Sequence, residues 1–264
     1  MSENHKLEQW RAYRRESVSS EQGDLALVGL HVVNGPVRFE DIPGLWAPLD
    51  GSEHGLVLTA SADEGITLNG ETVDGAVVLE AEHTVVRFAD NRTATATEQP
   101  GSPYLLAVWD VESDAMRRFE DISFFAYNEE WNIRGLYLPH EEGGHTAEFS
   151  HISDETGQIR SHLSPGDIAF EKDGETYRLT PFASGEALVV IFRDRTSGQS
   201  TYGLGRMVLV QLGGEDGKEA KLDFNKAFLP SCAFSPHFNC PMPPANNRLP
   251  FAVEAGEKEA VYTD

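Results

Sequence analysis

Gly55-Leu-Val-Leu-Thr59, Gly65-Ile-Thr-Leu68, Ala76-Val-Val-Leu79, His83-Thr-Val-Val-Arg-Phe88 and Tyr104-Leu-Leu-Ala-Val-Trp109 decide the fold class. Each has the length and β-branched content of a strand. Pro43-Gly44, Asn69-Gly70, Asp74-Gly75 and Gly101-Ser-Pro103 punctuate them as turns. Short strands at regular spacing predict a β-sandwich.

Toward the N-terminus, Leu25-Ala-Leu-Val-Gly-Leu-His-Val-Val33 reads as a short buried strand. Before it, residues 5–17 place Leu7, Trp10 and Tyr13 or Arg14 at three-to-four spacing, one apolar stripe of a helix. Toward the C-terminus, residues 113–131 read as a bridge. A second β region follows, with strands at His145–Ile152, Asp167–Glu171, Glu175–Thr180, Ala187–Arg193 and Arg206–Leu212. Lys172-Asp-Gly-Glu175 is a hairpin turn. Leu188 to Phe192 is continuously apolar, which predicts burial on both faces. The fold expected is mainly β: a helical arm at residues 1–24, a sandwich at 25–112, and a second β domain at 113–264 closed by a long C-terminal loop.

That loop, Asp223 to Lys258, holds both cysteines and six of the fourteen prolines. Proline removes backbone donors and fixes φ, so neither a long helix nor a long strand can form. Its Phe, Leu and Met residues predict an ordered loop on a scaffold, the kind of segment that carries function.

Composition narrows the partners. The formal net charge is −22, from 43 acidic and 21 basic residues, and only six of the basic residues are lysine. Lysine-poor, carboxylate-rich composition suits molar salt, where screening acts over ~3 Å. No basic stripe exists to neutralise phosphates, which argues against nucleic acid. No apolar signal core opens the chain and no uncharged apolar run approaches ~20 residues. The expectation is a cytoplasmic protein with no membrane partner and no cofactor, and in a reducing compartment two cysteines suit thiols or ligands better than a disulfide. No oligomeric state follows.

Several stretches resemble a known family: Phe192-Arg-Asp-Arg-Thr-Ser-Gly198, Thr201-Tyr-Gly-Leu-Gly-Arg206, Asp223-Phe-Asn-Lys-Ala227, Cys232…Cys240-Pro-Met-Pro-Pro244, Asn247-Arg-Leu-Pro250 and Glu254-Ala-Gly-Glu-Lys258. They resemble domain-of-unknown-function family number 1684, found in archaea and bacteria. The resemblance covers the last third strongly, and the Trp10 helix and Leu27-Val-Gly-Leu-His31 more loosely. It implies a location for the important residues and no activity. Leu68-Asn-Gly-Glu-Thr-Val73 also resembles a forkhead-associated (FHA) sandwich. The phosphothreonine-reading parts of that fold depart from the pattern: residues 43–55 lack the Gly-Arg pair, and Ser52-Glu-His54 is one residue short. The resemblance therefore implies a scaffold.

The candidate site residues are Arg193, Tyr202, Arg206, Asp223, Asn225, Asn247, Arg248 and Glu257. Two roles stand open for Arg193, Arg206 and Arg248. They could bridge Asp194, Asp223, Glu254 and Glu257 and pin the loop, because an unpaired buried guanidinium costs several kcal/mol. Alternatively they could line a pocket and grip a ligand carboxylate or phosphate through paired hydrogen bonds. On the pocket reading the protein is a non-catalytic binder of a small anionic or polar ligand, and alanine at Arg206 abolishes binding while leaving the fold intact. Rival readings are a hydrolase, with Asp223 or Glu257 as base or Cys232 as nucleophile, and an assembly module.

Cys232, His237 and Cys240 have the right atoms for zinc, but the spacing is wide and a fourth ligand is missing. A disulfide, two buried thiols and a nucleophilic cysteine are the other readings of that pair. His145 and His151 would share a face if they lay on one strand. Tyr202-Gly-Leu-Gly-Arg206 precedes a strand and no helix, so its glycines point to a bulge or a close backbone approach.

Overall fold

The computed structural model describes residues 3–49, 55–99, 102–141, 145–154 and 158–263. The chain divides into two compact units: residues 16–119, and residues 1–15 together with 120–264. The divide falls inside the N-terminal helix, Glu3–Val18. The architecture is mainly β, with this one long helix.

In residues 16–119 the strands form two antiparallel sheets. One is three-stranded, in the order Leu45–Pro48, Gly55–Ala60, Gly75–Glu80. The other has six strands, ordered Leu27–Val32, Ser102–Asp110, Arg92–Gln99, Val85–Phe88, Thr67–Leu68, Glu71–Thr72. Trp46, Leu56, Leu58 and Leu79 of the first share one core with Val86, Phe88, Ala94, Leu106 and Val108 of the second. Alternate residues point inward along each strand, as a sandwich requires. Asn69 and Gly70 take positive φ, 53° and 83°, and close the hairpin that Asn-Gly predicts. Ser52-Glu-His54 lies outside the described residues.

Arg92–Gln99, Arg-Thr-Ala-Thr-Ala-Thr-Glu-Gln, is a strand that propensity hides, because alanine is a poor strand former. Thr93, Ala94, Thr95 and Ala96 are all buried there, so small side chains suit a central position covered on both sides. The strict threonine–alanine alternation is the signal that reveals it.

The other unit is built on a seven-stranded antiparallel sheet, ordered Glu175–Leu179, Gly166–Lys172, Asn132–Pro139, Glu219–Asp223, Arg206–Gly213, Ala187–Phe192, Phe182–Ser184. The strand Ala187–Phe192 is buried on both faces. Val190 and Phe192 join one core, while Val189 and Ile191 join another with Phe149 and Phe182. Residues 113–131, expected as a bridge, contain the strand Phe119–Phe124, which pairs with Glu257–Tyr262. The C-terminal loop therefore ends in a strand at Glu257.

Among the described residues no helix contributes to the first core face of the large sheet. The segment after Asp223 takes that place. Phe224, Ala227, Leu249, Val253 and Ala255 pack there against Val190, Phe192, Val208 and Leu222. Three short 3-10 turns, Phe224–Lys226, Ser231–Ala233 and Ala245–Asn247, bend it, and Phe228 exchanges both backbone hydrogen bonds with Met207 at 2.8 Å. Each buried large apolar side chain contributes roughly 1.5–3 kcal/mol, so this loop is core and does not act as a removable lid. On the helix, Leu7 and Arg14 are buried while Tyr13 is 60% exposed, which settles the third member of the stripe.

Candidate functional site

Most of the candidate polar residues turn inward and serve the fold. Arg206 begins the strand Arg206–Gly213 and is 0% exposed. Its guanidinium donates to the carbonyls of Val253 (2.7 Å), Ala255 and Glu257 (3.0 Å), to Thr196 Oγ1 (3.3 Å) and to Asp194 Oδ2 (3.4 Å). The rings of Phe192 and Phe125 lie 5.3 and 5.7 Å from its Cζ. Burial lowers its pKa to about 10, and the Asp194 carboxylate opposes that shift, so it stays charged at neutral pH. Asp194 in turn accepts from Thr196, from Ser197 and from the Val253 backbone N–H at 2.6 Å. Arg206 is thus the peg on which the C-terminal segment hangs, and the expectation that it holds a ligand in an intact fold gives way to this geometry. Gly205 permits it: at φ 107° a Cβ there would lie 2.3 Å from the Phe192 carbonyl oxygen.

Glu257 is also 0% exposed. Arg14 Nε donates to one oxygen at 2.7 Å, and the Leu229 N–H donates to the other at 2.7 Å. A sealed carboxylate with both oxygens engaged offers no base to a substrate. Asp223 caps the 3-10 turn through the Asn225 N–H at 3.2 Å and lies 3.6 Å from Lys226. The two asparagines act as spare peptide groups. Asn225 accepts from the Asn128 N–H and donates to the Asn128 carbonyl, both at 2.9 Å. Asn247 does the same with Thr180, at 2.8 and 2.9 Å, and also reaches the Ile191 carbonyl. Tyr202 donates to the Cys232 carbonyl at 2.9 Å, and burial pushes its pKa above the ordinary phenol range.

Arg193 and Arg248 behave differently. After Phe192 the chain leaves the sheet and runs parallel to residues 247–251. Arg193 N–H donates to Asn247 O (3.1 Å), Leu249 N–H to Arg193 O (2.7 Å) and Arg195 N–H to Phe251 O (3.1 Å). Strand parity then sorts the side chains. Asp194, Thr196 and Leu249 are buried, whereas Arg195, Arg248 and Pro250 are exposed and Arg193 is half-buried. Arg193, Arg195 and Arg248, with Asp194, Leu249 and Pro250, line a shallow depression of about 270 Å³; the Asp194 carboxylate there is already taken up by Arg206, Thr196, Ser197 and the Val253 N–H.

The charge pattern singles this place out. Eleven of the fifteen arginines have a carboxylate within 4 Å: Arg11, Arg14, Arg15, Arg38, Arg87, Arg92, Arg118, Arg134, Arg160, Arg178 and Arg206. Among the described residues, Arg117, Arg193, Arg195 and Arg248 make no such pair, and three of these four border one depression. The only hydrogen bond from their guanidiniums among the described residues runs from Arg195 Nε to the Pro250 carbonyl. Arg195 is the member that reading the sequence missed. Its signal was the alternation Arg193-Asp194-Arg195-Thr196, visible only once that segment is known to be extended.

The remaining candidates scatter or regroup. His237 is exposed, its N–H on Ser235 Oγ, and no three His, Cys, Asp or Glu residues converge for a metal among the described residues. Cys232 and Cys240 are half-buried, and the Cys232 N–H lies 3.3 Å from the Cys240 sulfur. His145 and His151 do not share a strand, because Thr146–Phe149 ends first. His151 instead meets His162, Nε2 to Nε2 at 2.8 Å with the rings stacked, and its Nδ1 meets the Asn239 carbonyl at 2.7 Å.

A family model described as "Protein of unknown function (DUF1684)" matches residues 117–258. A solution NMR structure of an uncharacterised protein of Haloarcula marismortui is 34% identical, covers 53% of this chain and 77% of that one, with a TM-score of 0.43. No curated protein matches the chain.

Proposed function

We propose, starting from the fact that the chain belongs to the DUF1684 family of proteins of unknown function, that it is a non-catalytic binder of a small anionic ligand, seated on Arg193, Arg195 and Arg248. The carrying observation is that these three guanidiniums stand together without acid partners in a chain that has 43 acidic residues. The family region contains all three. The ligand carries a carboxylate or phosphoryl group, because the planar fork of arginine matches both through two parallel hydrogen bonds. The −22 charge suits a protein that works in concentrated salt. Screening there acts over ~3 Å, so long-range attraction contributes little and contact-distance hydrogen bonds carry the affinity. Each charge-assisted bond contributes roughly 1.5–3 kcal/mol. Two such bonds, about 3–6 kcal/mol together, hold a ligand in the range of roughly 40 μM to 6 mM. The sandwich of residues 16–119, which resembles an FHA domain, serves in this reading as a scaffold.

Calorimetric titration with citrate and with inorganic phosphate in molar KCl tests this. The R193Q/R248Q double variant should bind at least tenfold more weakly and unfold at the same temperature as wild type. Equal binding by the double variant, or no binding of either anion by wild type, overturns the proposal.

A further inference from the structure

The only two cysteines of the chain stand in one cluster. Cys232 sits in the 3-10 turn Ser231–Ala233, and its backbone N–H points at the Cys240 sulfur, 3.3 Å away. Seven residues separate the two, and the intervening chain folds back on itself: the Phe234 and Ser235 N–H groups return to the Ser231 carbonyl, and Phe238 N–H to Ser235. The sulfur of Cys240 therefore already lies beside the backbone of Cys232. The Tyr202 hydroxyl donates to the Cys232 carbonyl at 2.9 Å and anchors that end of the pair. Both cysteines are half-buried, so a small reagent can reach them.

The cluster also stands at a junction. The Cys240 carbonyl accepts from the Ile152 N–H, and Met242 N–H donates to Ser150. Asn239, the residue before Cys240, accepts from or donates to His151, Ser153 and Asp154. A covalent link between Cys232 and Cys240 fixes the loop that holds all of these contacts.

We propose that Cys232 and Cys240 form a reversible disulfide by exchange with a small-molecule disulfide, with Cys240 attacking first. The Cys240 thiolate, supported by the Cys232 N–H, attacks one sulfur of the small disulfide. That S–S bond breaks, and one half leaves as a thiolate that takes up a proton. Cys240 now carries a mixed disulfide. The Cys232 thiol releases its proton and attacks the Cys240 sulfur, and the second half leaves as a thiol. Two protein thiols are oxidised and one small disulfide is reduced to two thiols.

The full-length protein, equilibrated in graded mixtures of reduced and oxidised glutathione and then alkylated, provides the test. At the oxidising end wild type should lose two hydrogens in mass as a monomer, with both cysteines at least tenfold protected from alkylation. The C232S variant should accumulate the mixed glutathione disulfide on Cys240, and C240S should react at least tenfold more slowly. Two alkylatable thiols at every ratio, a persistent mixed disulfide on wild type, or a disulfide-linked dimer each overturn ring closure. Faster reaction of C240S than of C232S overturns the order of attack. None of these outcomes depends on the arginine face, so binding of anions and closure of the ring succeed or fail separately.

Discussion

Arg206→Ala will destabilise residues 120–264 by about 3–5 kcal/mol, the usual result of removing one partner from a buried, hydrogen-bonded ion pair. The change strands more than a charge. The carbonyls of Val253, Ala255 and Glu257 lose their donors inside the protein, and Asp194 keeps only its hydroxyl and N–H partners. A buried carbonyl left without a donor costs roughly 1–3 kcal/mol. Arg206→Met should fare little better, because its volume fills the space while the same oxygens remain unpaired. Arg206→Lys should fall between, since one ammonium cannot span three carbonyls that a planar fork reaches together. Denaturant midpoints in molar salt measure all three. A loss below about 1 kcal/mol for Arg206→Ala contradicts the peg role. The contrast with Arg193 and Arg248 is the sharper check. Their loss should weaken anion binding at constant stability, whereas loss of Arg206 should lower stability first.

Acid should weaken the same unit between pH 6.5 and 4 through the histidine pair. Burial, then the neighbouring His151 and Arg160, lowers the His162 pKa from 6.5 to about 4, and burial also lowers that of His151. The hydrogen bond between the two Nε2 atoms at 2.8 Å needs one to stay unprotonated, and charging both rings turns two N–H groups and two like charges on each other. In this window the unfolded chain binds more protons than the folded one, so stability falls as pH falls and levels off below about 4. A shift of this size in a half-buried group corresponds to about 2–3 kcal/mol. Asp154 acts lower. The hydrogen bond from Arg160 holds its pKa at about 2, so its contribution is complete above the usual carboxylate range and is lost as pH drops toward 2. His162→Phe should flatten the profile between pH 6.5 and 4, because a phenyl ring packs against Phe149 and Phe182 and takes no proton. Unfolding midpoints across pH for both proteins decide this. An unchanged slope in the variant assigns the acid sensitivity elsewhere.

Patterning and turn chemistry carried the architecture. Alternating apolar residues and Asn-Gly or Asp-Gly turns depend on neighbours in the chain, so Gly55–Ala60, Val85–Phe88 and the Lys172–Glu175 hairpin were legible. Phe119–Phe124 and Glu257–Tyr262 were not, because each is a strand only by virtue of the other, more than 130 residues away in sequence. The candidate residues show the same division. Their types marked Arg206, Asn225, Asn247 and Glu257 as polar groups in need of partners, but residue type does not say whether a partner is the protein or a ligand.

By itself the sequence determined the class of fold, the placing of the irregular C-terminal segment and the scarcity of lysine, since these follow from local sterics, periodicity and composition. Only the tertiary structure decided which arginines face inward. A guanidinium's role depends on which carbonyls and carboxylates the distant chain brings within about 3 Å. That distance is set when Val253, Ala255 and Glu257 close over Arg206 and leave Arg193, Arg195 and Arg248 outside.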